Sequence, residues 1–327
     1  MTSATGIREG VYRSALVRRV TRWLEALPHP PLACEIAPGH VAVARWARRG
    51  TSLDGFAVEP LPDGAIVPSA VETNLINVAA IRAAVTRAFA RLHARGQDVA
   101  LFLPDPVIRV FVLHFDEFPR AASEAIPMLR WKLKKSVPFE AEETLVSYMR
   151  QAPRDEGVDI VTGLARLRIV REYEQLAESA GMSPGVVISS TLAALPLLDD
   201  RRPTFLARIS AATLTSAIVR EGILCGYRCT ELPVHSSGLT PQMLLDEIYP
   251  VLAYYQDTWS EGIQAVRLAG LGGRIEEFRK SLEGELRCPV GALLSAATLE
   301  GRIGDDARPL ADQQLDALVG WTLNRGG

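Results

Sequence analysis

A repeated order of secondary-structure elements constrains the fold of this 327-residue chain more than any other feature. The first half contains strand-like runs at 32–36, 40–46 and 56–60, then an amphipathic helix and a buried strand at 99–103. The same order restarts near residue 204, with strand-like runs at 205–209, 213–220 and 223–229, a helix at 241–259 and a strand at 266–269. Because this α/β unit occurs twice, we expect two similar lobes with a cleft between them.

Composition excludes several classes of protein. The formal net charge is -2 at pH 7, which does not favour a nucleic-acid partner. The four cysteines (Cys34, Cys225, Cys229 and Cys288) form no C-x-x-C pair and no zinc-ligand spacing, so we expect free thiols and no metal site. No apolar run approaches the roughly 18 residues of a membrane span, and no signal-peptide core occurs. We therefore expect a cytoplasmic protein.

Residues 8–27 predict a basic amphipathic helix that ends at the prolines of 28–31. Two interpretations remain open for this extension. It is either a packed or frayed N-terminal segment, or a peripheral contact with anionic lipid or a partner, because arginines around an apolar stripe with Trp23 suit a membrane surface.

Two hairpins occupy matching places in the two halves, and a third, glycine-rich segment lies at the end of the second unit. The first hairpin reads C-E-I-A-P-G-H-V-A-V at 34–43, and the second reads R-I-S-A-A-T at 208–213. The third segment, L-A-G-L-G-G at 268–273, has the glycines that a phosphate or adenosine loop needs for close backbone approach. The same glycines also suit an ordinary turn from a strand to a helix.

Further segments lie between and around these loops. L-P-D-G occurs at 61–64 and L-P-D-P at 103–106. The most specific segment is W-K-L-K-K-S-V-P-F-E-A-E-E at 131–143. The order and spacing of all these segments, over about residues 32–323, resemble the PilM family of type IV pilus assembly proteins, within the actin-like and FtsA-like ATPase superfamily.

The resemblance implies an α/β, two-lobed, actin-like fold, which is a duplicated RNase H-like fold, with a small inserted subdomain. It divides the chain into an N-terminal extension (1–30), a first lobe (31–104, 184–200 and 308–327), an inserted subdomain (105–183) and a second lobe (201–307).

The resemblance implies ATP with Mg²⁺ as the cofactor. It assigns a bound nucleotide to Glu35, Ala37, Gly39, His40, Arg208, Ser210, Thr213, Gly270, Gly272 and Gly273. Both hairpins depart from the family pattern, because Pro38 removes an N–H donor and Arg208 replaces a metal-orienting carboxylate. Arg208 would repel Mg²⁺, and would either pair with Glu35 across the cleft or hold a phosphate directly. We therefore expect no enzyme activity and no catalytic residues.

The resemblance also implies partners. It predicts that the chain binds the cytoplasmic N-terminal tail of an inner-membrane PilN-like protein, contacts other pilus motor components, and so lies peripheral to the inner membrane. The implied peptide groove is lined by Leu103, Val107, Arg109, Trp131, Lys135, Pro138 and Phe139.

Three other functions remain as alternatives. The first is a nucleotide-switched ATP-binding protein of the same fold. The second is the cytoplasmic module of a type II secretion system, similar to GspL. The third is a relative of the sugar and acetate kinases, which needs an acidic base that this sequence does not reveal.

Overall fold

The computed structural model describes residues 29–47, 52–140, 143–151, 157–198 and 202–324. The predicted helix at 8–27 lies outside the described residues. The strands in chain order are β1 Leu32–Ala37, β2 His40–Trp46, β3 Leu53–Pro60, β4 Asp98–Leu103, β5 Arg109–Phe115, β6 Thr144–Arg150, β7 Val158–Arg166, β8 Ser183–Ser189, β9 Thr204–Ser210, β10 Thr213–Arg220, β11 Ile223–Glu231, β12 Ala265–Ala269 and β13 Val290–Ala292. The helices are α1 Val78–Arg91, α2 Ala122–Leu133, α3 Leu167–Ser179, α4 Ser190–Ala194, α5 Pro241–Trp259, α6 Ile275–Leu286, α7 Ala296–Leu299, α8 Arg308–Asp312 and α9 Asp316–Asn324.

The two large sheets have the same topology. The first sheet has the strand order β3-β2-β1-β4-β8, and the second has the order β11-β10-β9-β12-β13. In each sheet the first three strands are antiparallel neighbours and the remaining pairings are parallel. The repeated order in the sequence therefore corresponds to two copies of one sheet.

The two hairpins at the cleft are also equivalent in register. In the first sheet, Ala37 pairs with His40 across the turn, and Glu35 pairs with Ala42. In the second sheet, Ser210 pairs with Thr213, and Arg208 pairs with Thr215. Glu35 and Arg208 consequently occupy the same position of the two repeats.

The first lobe contains the larger core, with helices on both faces of its sheet. Helix α1 shows why the sequence folds this way, because its buried residues recur at helical spacing (Ile81, Ala84, Val85, Ala88 and Phe89) and the Asn77 side chain caps its N-terminus. Helices α4 and α9 pack on each other and contact β4 and β1. The Trp321 ring of α9 lies 5.3 Å from that of Phe102 on β4, so the end of the chain returns to the first lobe.

The inserted subdomain has a three-stranded sheet of order β5-β7-β6, against which α2 packs. Its small core includes Phe115, Leu129 and Ile160. Helix α3, which the predicted boundaries of 105–183 place in the subdomain, packs on α1 and on strands β4 and β8 of the first lobe as well as on β7 of the subdomain. The subdomain also contacts the second lobe, because the Gln151 side chain exchanges two 2.8 Å hydrogen bonds with the Leu224 backbone.

Within the described ranges, no helix has both the length and the apolar character that a membrane span requires.

Close packing of α9 on α4 predicts the effect of a single methyl group. A Cβ atom at Gly320 would collide with the Ala193 carbonyl oxygen and lie 2.7 Å from the Ala194 Cα. Because backbone cannot move aside as a flexible side chain can, we expect Gly320→Ala to lower the free energy of unfolding by about 1–3 kcal/mol in urea titrations. Gly284→Ala is the control, since Gly284 is exposed on α6 with open space around it. Equal stability of the two variants would contradict the packing.

Candidate functional site

The side chain of Arg208 points into the cleft because side chains along strand β9 alternate between the two faces of the sheet. Phe205, Ala207 and Ile209 belong to the core of the second lobe. Leu206, between two of them, joins the core of the first lobe instead. Successive side chains of a strand point to opposite faces, so Arg208 lies on the same face as Leu206, toward the first lobe.

The guanidinium of Arg208 binds three carboxylates of the first lobe. Its Nε and Nη2 donate to the two oxygens of Asp316 at 2.8 and 2.9 Å, a bidentate pair. Nη2 also donates to Glu35 Oε1 at 3.1 Å, and Nη1 lies 3.6 Å from Asp105 Oδ2. The carboxylates are almost fully buried, and the Arg208 side chain is 11% exposed. This four-residue group, the cleft cluster, connects the two lobes.

Asp105 has further partners on both sides of the cleft. From the first lobe it accepts hydrogen bonds from the backbone N–H and the hydroxyl of Thr191. From the second lobe it accepts hydrogen bonds from Thr215 Oγ1 at 2.8 Å and from the Tyr227 hydroxyl at 3.1 Å. A buried carboxylate with this many donors is well compensated for the loss of water.

The electrostatics favour the ionised forms of Glu35 and Arg208. Burial by itself raises the pKa of Glu35, but His40 and the positive charge of Arg208 lower it from the ordinary 4.5 to about 2. His40 Nε2 lies 3.9 Å from Glu35 Oε2, beyond hydrogen-bond distance, so Arg208 is the close partner. Burial opposes the charge of Arg208, and Asp316, Glu35 and Asp105 raise its pKa above the ordinary range.

The other predicted nucleotide residues lie around the cleft cluster. Ala37, Gly39 and His40 form the turn of the first hairpin, and Ser210 and Thr213 flank the turn of the second. Gly270, Gly272 and Gly273 follow β12, which pairs with β9. Gly270 has φ +78°, and a Cβ there would collide with the Ile209 carbonyl. Strand-to-helix geometry thus accounts for this glycine without any ligand.

A separate pocket of about 790 Å³ opens on the inserted subdomain, beside the C-terminal end of α2. We call it the α2 pocket. Four of the residues predicted for a peptide groove line it: Trp131, Lys135, Pro138 and Phe139. Its other lining residues are Pro127, Arg130, Lys134, Val137 and Glu140. The Trp131 side chain is 72% exposed, which is unusual for so large an apolar group.

The remaining predicted groove residues do not line the α2 pocket. Leu103 and Val107 have no exposed surface and belong to the first-lobe core, so their assignment to an open groove is corrected. Leu103 ends a strand that is covered on both faces, which explains the burial. Arg109 is half-buried at the start of β5.

No protein-family model and no curated protein matches the chain. Among solved structures, a chain of the "PilM-PilN type IV pilus biogenesis complex" has a TM-score of 0.71 and 17% identity, and the match covers 92% of this chain and 100% of that chain. The protein has an actin-like fold of the PilM type. A Bacteroides thetaiotaomicron protein with an actin-like ATPase fold and unknown function has a TM-score of 0.47 and 12% identity, covering 87% of this chain and 96% of that chain.

The cytoplasmic domain of EpsL, an inner-membrane component of the type II secretion system of Vibrio cholerae, has a TM-score of 0.44 and 11% identity, covering 72% of this chain and 80% of that chain. These likenesses concern the fold. The likeness to the chain of the PilM–PilN complex confirms the predicted two-lobed α/β architecture and the resemblance to PilM.

Two members of the cleft cluster, Asp105 and Asp316, were absent from the predicted site. Asp105 follows the buried strand β4, and an acid directly after such a strand is a recognisable signal of a site at the sheet edge. Asp316 begins the apolar helix α9, where an acid has the ordinary role of favouring a helix N-terminus. Only the folded actin-like chain brings the two together.

The cleft cluster predicts a large cost for removing Arg208. Arg208→Ala leaves three buried carboxylates without their cation, so we expect the free energy of unfolding to fall by about 3–5 kcal/mol in urea titrations. Arg308→Ala is the matched control, because its ion pair with Asp305 is exposed and contributes less than about 1 kcal/mol. A cost for Arg208→Ala as small as that of the control would contradict the cluster.

The lowered pKa of Glu35 predicts a pH dependence of stability. Between about pH 4.5 and 2, the unfolded chain binds a proton at this carboxylate that the folded chain does not. The contribution of Glu35 is therefore fully present above its unfolded pKa and is lost as pH falls toward 2. Urea titrations across this range should show the stability difference between the wild type and Glu35→Gln shrinking with falling pH. Parallel profiles would count against the assignment.

Proposed function

We propose that this protein is an actin-like adaptor of a type IV pilus machine that binds the cytoplasmic N-terminal tail of an inner-membrane PilN-like protein. The observation that carries the proposal is the α2 pocket, with its exposed Trp131, in the inserted subdomain of a PilM-type fold. The related structure is of a PilM–PilN complex, which gives a partner of the same kind. Through such a tail the protein would be held at the cytoplasmic side of the inner membrane and would join motor components to it.

The chemistry of the α2 pocket supports a peptide ligand. Trp131, Pro138 and Phe139 offer flat apolar surfaces on which a leucine, proline or aromatic side chain can pack. Aromatic residues in concave, partly desolvated sites supply much of the binding energy in protein interfaces. An extended tail that places one or two apolar side chains here would need no rearrangement of the fold.

The second part of the proposal is that ATP hydrolysis has been lost. In the actin-like superfamily an acid at the position of Arg208 orients Mg²⁺ or the attacking water. Here the guanidinium of Arg208 already neutralises Glu35 and Asp316, so a divalent cation would meet a fixed positive charge. Phosphoryl transfer depends on charge neutralisation by metal ions, and the residues of this cleft do not fit Mg-ATP. Among the described residues no group of three or more His, Cys, Asp or Glu suits a metal ion.

Two alternatives use the same fold. A nucleotide-switched protein would bind Mg-ATP in the cleft, where the Gly270–Gly273 loop is retained. A component of a type II secretion system would bind a different inner-membrane partner, as the fold of the EpsL domain suggests.

Calorimetric titration of the purified chain tests the proposal. The ligands are a synthetic N-terminal tail peptide of the PilN-like protein from the same organism, and Mg-ATP. We expect the tail to bind with one site per chain and Mg-ATP to give no heat. Trp131→Ala should weaken tail binding by about tenfold or more, because it removes the central apolar anchor.

Tyr254→Ala is the matched control, since Tyr254 is an equally exposed aromatic (72%) on the second lobe. It should leave tail binding unchanged. Mg-ATP binding that Glu35→Gln abolishes would favour the nucleotide switch. Tail binding that survives Trp131→Ala in a folded protein would remove the pocket from the proposal.

A further inference from the structure

The border of the α2 pocket carries an excess of positive charge. Arg130, Lys134 and Lys135 line the pocket, against the single acid Glu140. The charge is conspicuous in this chain, because its 36 Lys and Arg residues include only four lysines, three of which lie at 132–135. The fourth, Lys280, lies on α6 of the second lobe.

The cationic side chains in and around the α2 pocket differ in whether they already have an interaction partner. Arg130 Nη2 donates to the Thr144 carbonyl at 3.0 Å, and Lys132 lies over the Phe115 ring with its Nζ 4.1 Å from the centroid. Lys134 and Lys135 are exposed, and within the described ranges neither makes a side-chain hydrogen bond or an ion pair. Among the described residues, two ammonium groups without a partner therefore lie beside an apolar pocket, available to a ligand.

Apolar and cationic groups alternate around the same opening. Trp131, Pro138 and Phe139 line it together with Arg130, Lys134 and Lys135. A ligand that packs on Trp131 and Phe139 would thus bring its neighbouring groups within reach of the lysines. The charge complement of such a site is a carboxylate next to an apolar anchor.

We propose that the α2 pocket selects peptide segments in which a large apolar or proline side chain is flanked by acidic residues, with Lys134 and Lys135 as the specificity-determining residues. This inference rests on the proposed function and adds the chemical class of the tail. An anionic membrane offers related chemistry, with an exposed Trp beside lysines. The concave shape of the pocket favours the peptide, because a flat lipid surface leaves a cavity of about 790 Å³ unfilled.

Fluorescence anisotropy with three labelled model peptides tests the inference. The peptides share one Trp-Leu-Pro anchor and differ only in their flanking residues, which are glutamate, glutamine or lysine. We expect the glutamate peptide to bind the full chain roughly threefold to tenfold more tightly than the glutamine peptide at low salt, and the preference to shrink as salt rises. The lysine peptide should bind most weakly.

The double variant Lys134→Glu with Lys135→Glu should invert this order and favour the lysine peptide. Lys280→Glu, at the remaining lysine, is the matched control and should leave the order unchanged. Cations are also favoured at the end of a helix, so urea titrations are run in parallel to show that the double variant is folded. An unchanged preference in the folded double variant would overturn the inference.

The PilN-like tail separates the inference from the proposed function. Tail binding to the wild type that the double variant leaves unchanged would preserve the adaptor and overturn the acidic specificity. Glutamate-dependent binding of the model peptides without tail binding would preserve the specificity and overturn the PilN-like partner. Co-sedimentation with phosphatidylserine vesicles, but not phosphatidylcholine vesicles, in the absence of any peptide binding would overturn both in favour of a membrane contact.

Discussion

The guanidinium of Arg208, held by three carboxylates, is the interaction on which the relation between the two lobes depends. The carboxylates belong to β1, to the segment after β4 and to α9, which all lie in the first lobe, whereas Arg208 lies on β9 of the second. A cation in the middle of such a group offsets the cost of burying each carboxylate. It does so only while the two lobes remain together. The chain itself therefore bridges the cleft between its two lobes with ion pairs.

The ion pairs across the cleft follow from a difference in charge between two equivalent hairpin positions. Glu35 and Arg208 occupy equivalent places in two hairpins of the same register. Two acids there would repel each other, so that one would stay protonated or a cation would lie between them. With an acid in one repeat and a base in the other, the two halves neutralise each other directly. The two sheets therefore share one topology while the charges at their equivalent hairpin positions differ in sign.

The α2 pocket lies away from the cleft cluster. The α2 pocket is built from the end of one helix and the segment that follows it, and its own small core of Leu133, Val137 and Leu164 supports it. The inserted subdomain also contacts the second lobe through Gln151 and Leu224. An occupied pocket would consequently act on a unit that touches both lobes.

Much of this fold was predictable from sequence, because hydrophobic periodicity is a local property. The repeated strand pattern gave two sheets of one topology, and the matched hairpins placed Glu35 and Arg208 opposite each other. The segment at 131–139 was also recognisable, since its pocket residues are neighbours in the chain. Leu103 and Val107 were placed wrongly. An apolar residue at the end of a strand, or in the turn after it, has the same local sequence pattern whether it lines a groove or a core.

The sequence by itself determined the class of fold, the duplication and the charge change at position 208. Each of these depends on residues that are close together in the chain. The tertiary structure decided which acids surround that charge. Asp105 and Asp316 are 211 residues apart in number and come together only because the segment after β4 and the start of α9 both lie beside Arg208. It also decided that helix α3 packs on the first lobe, because burial depends on which surface is near and not on the helix's own periodicity.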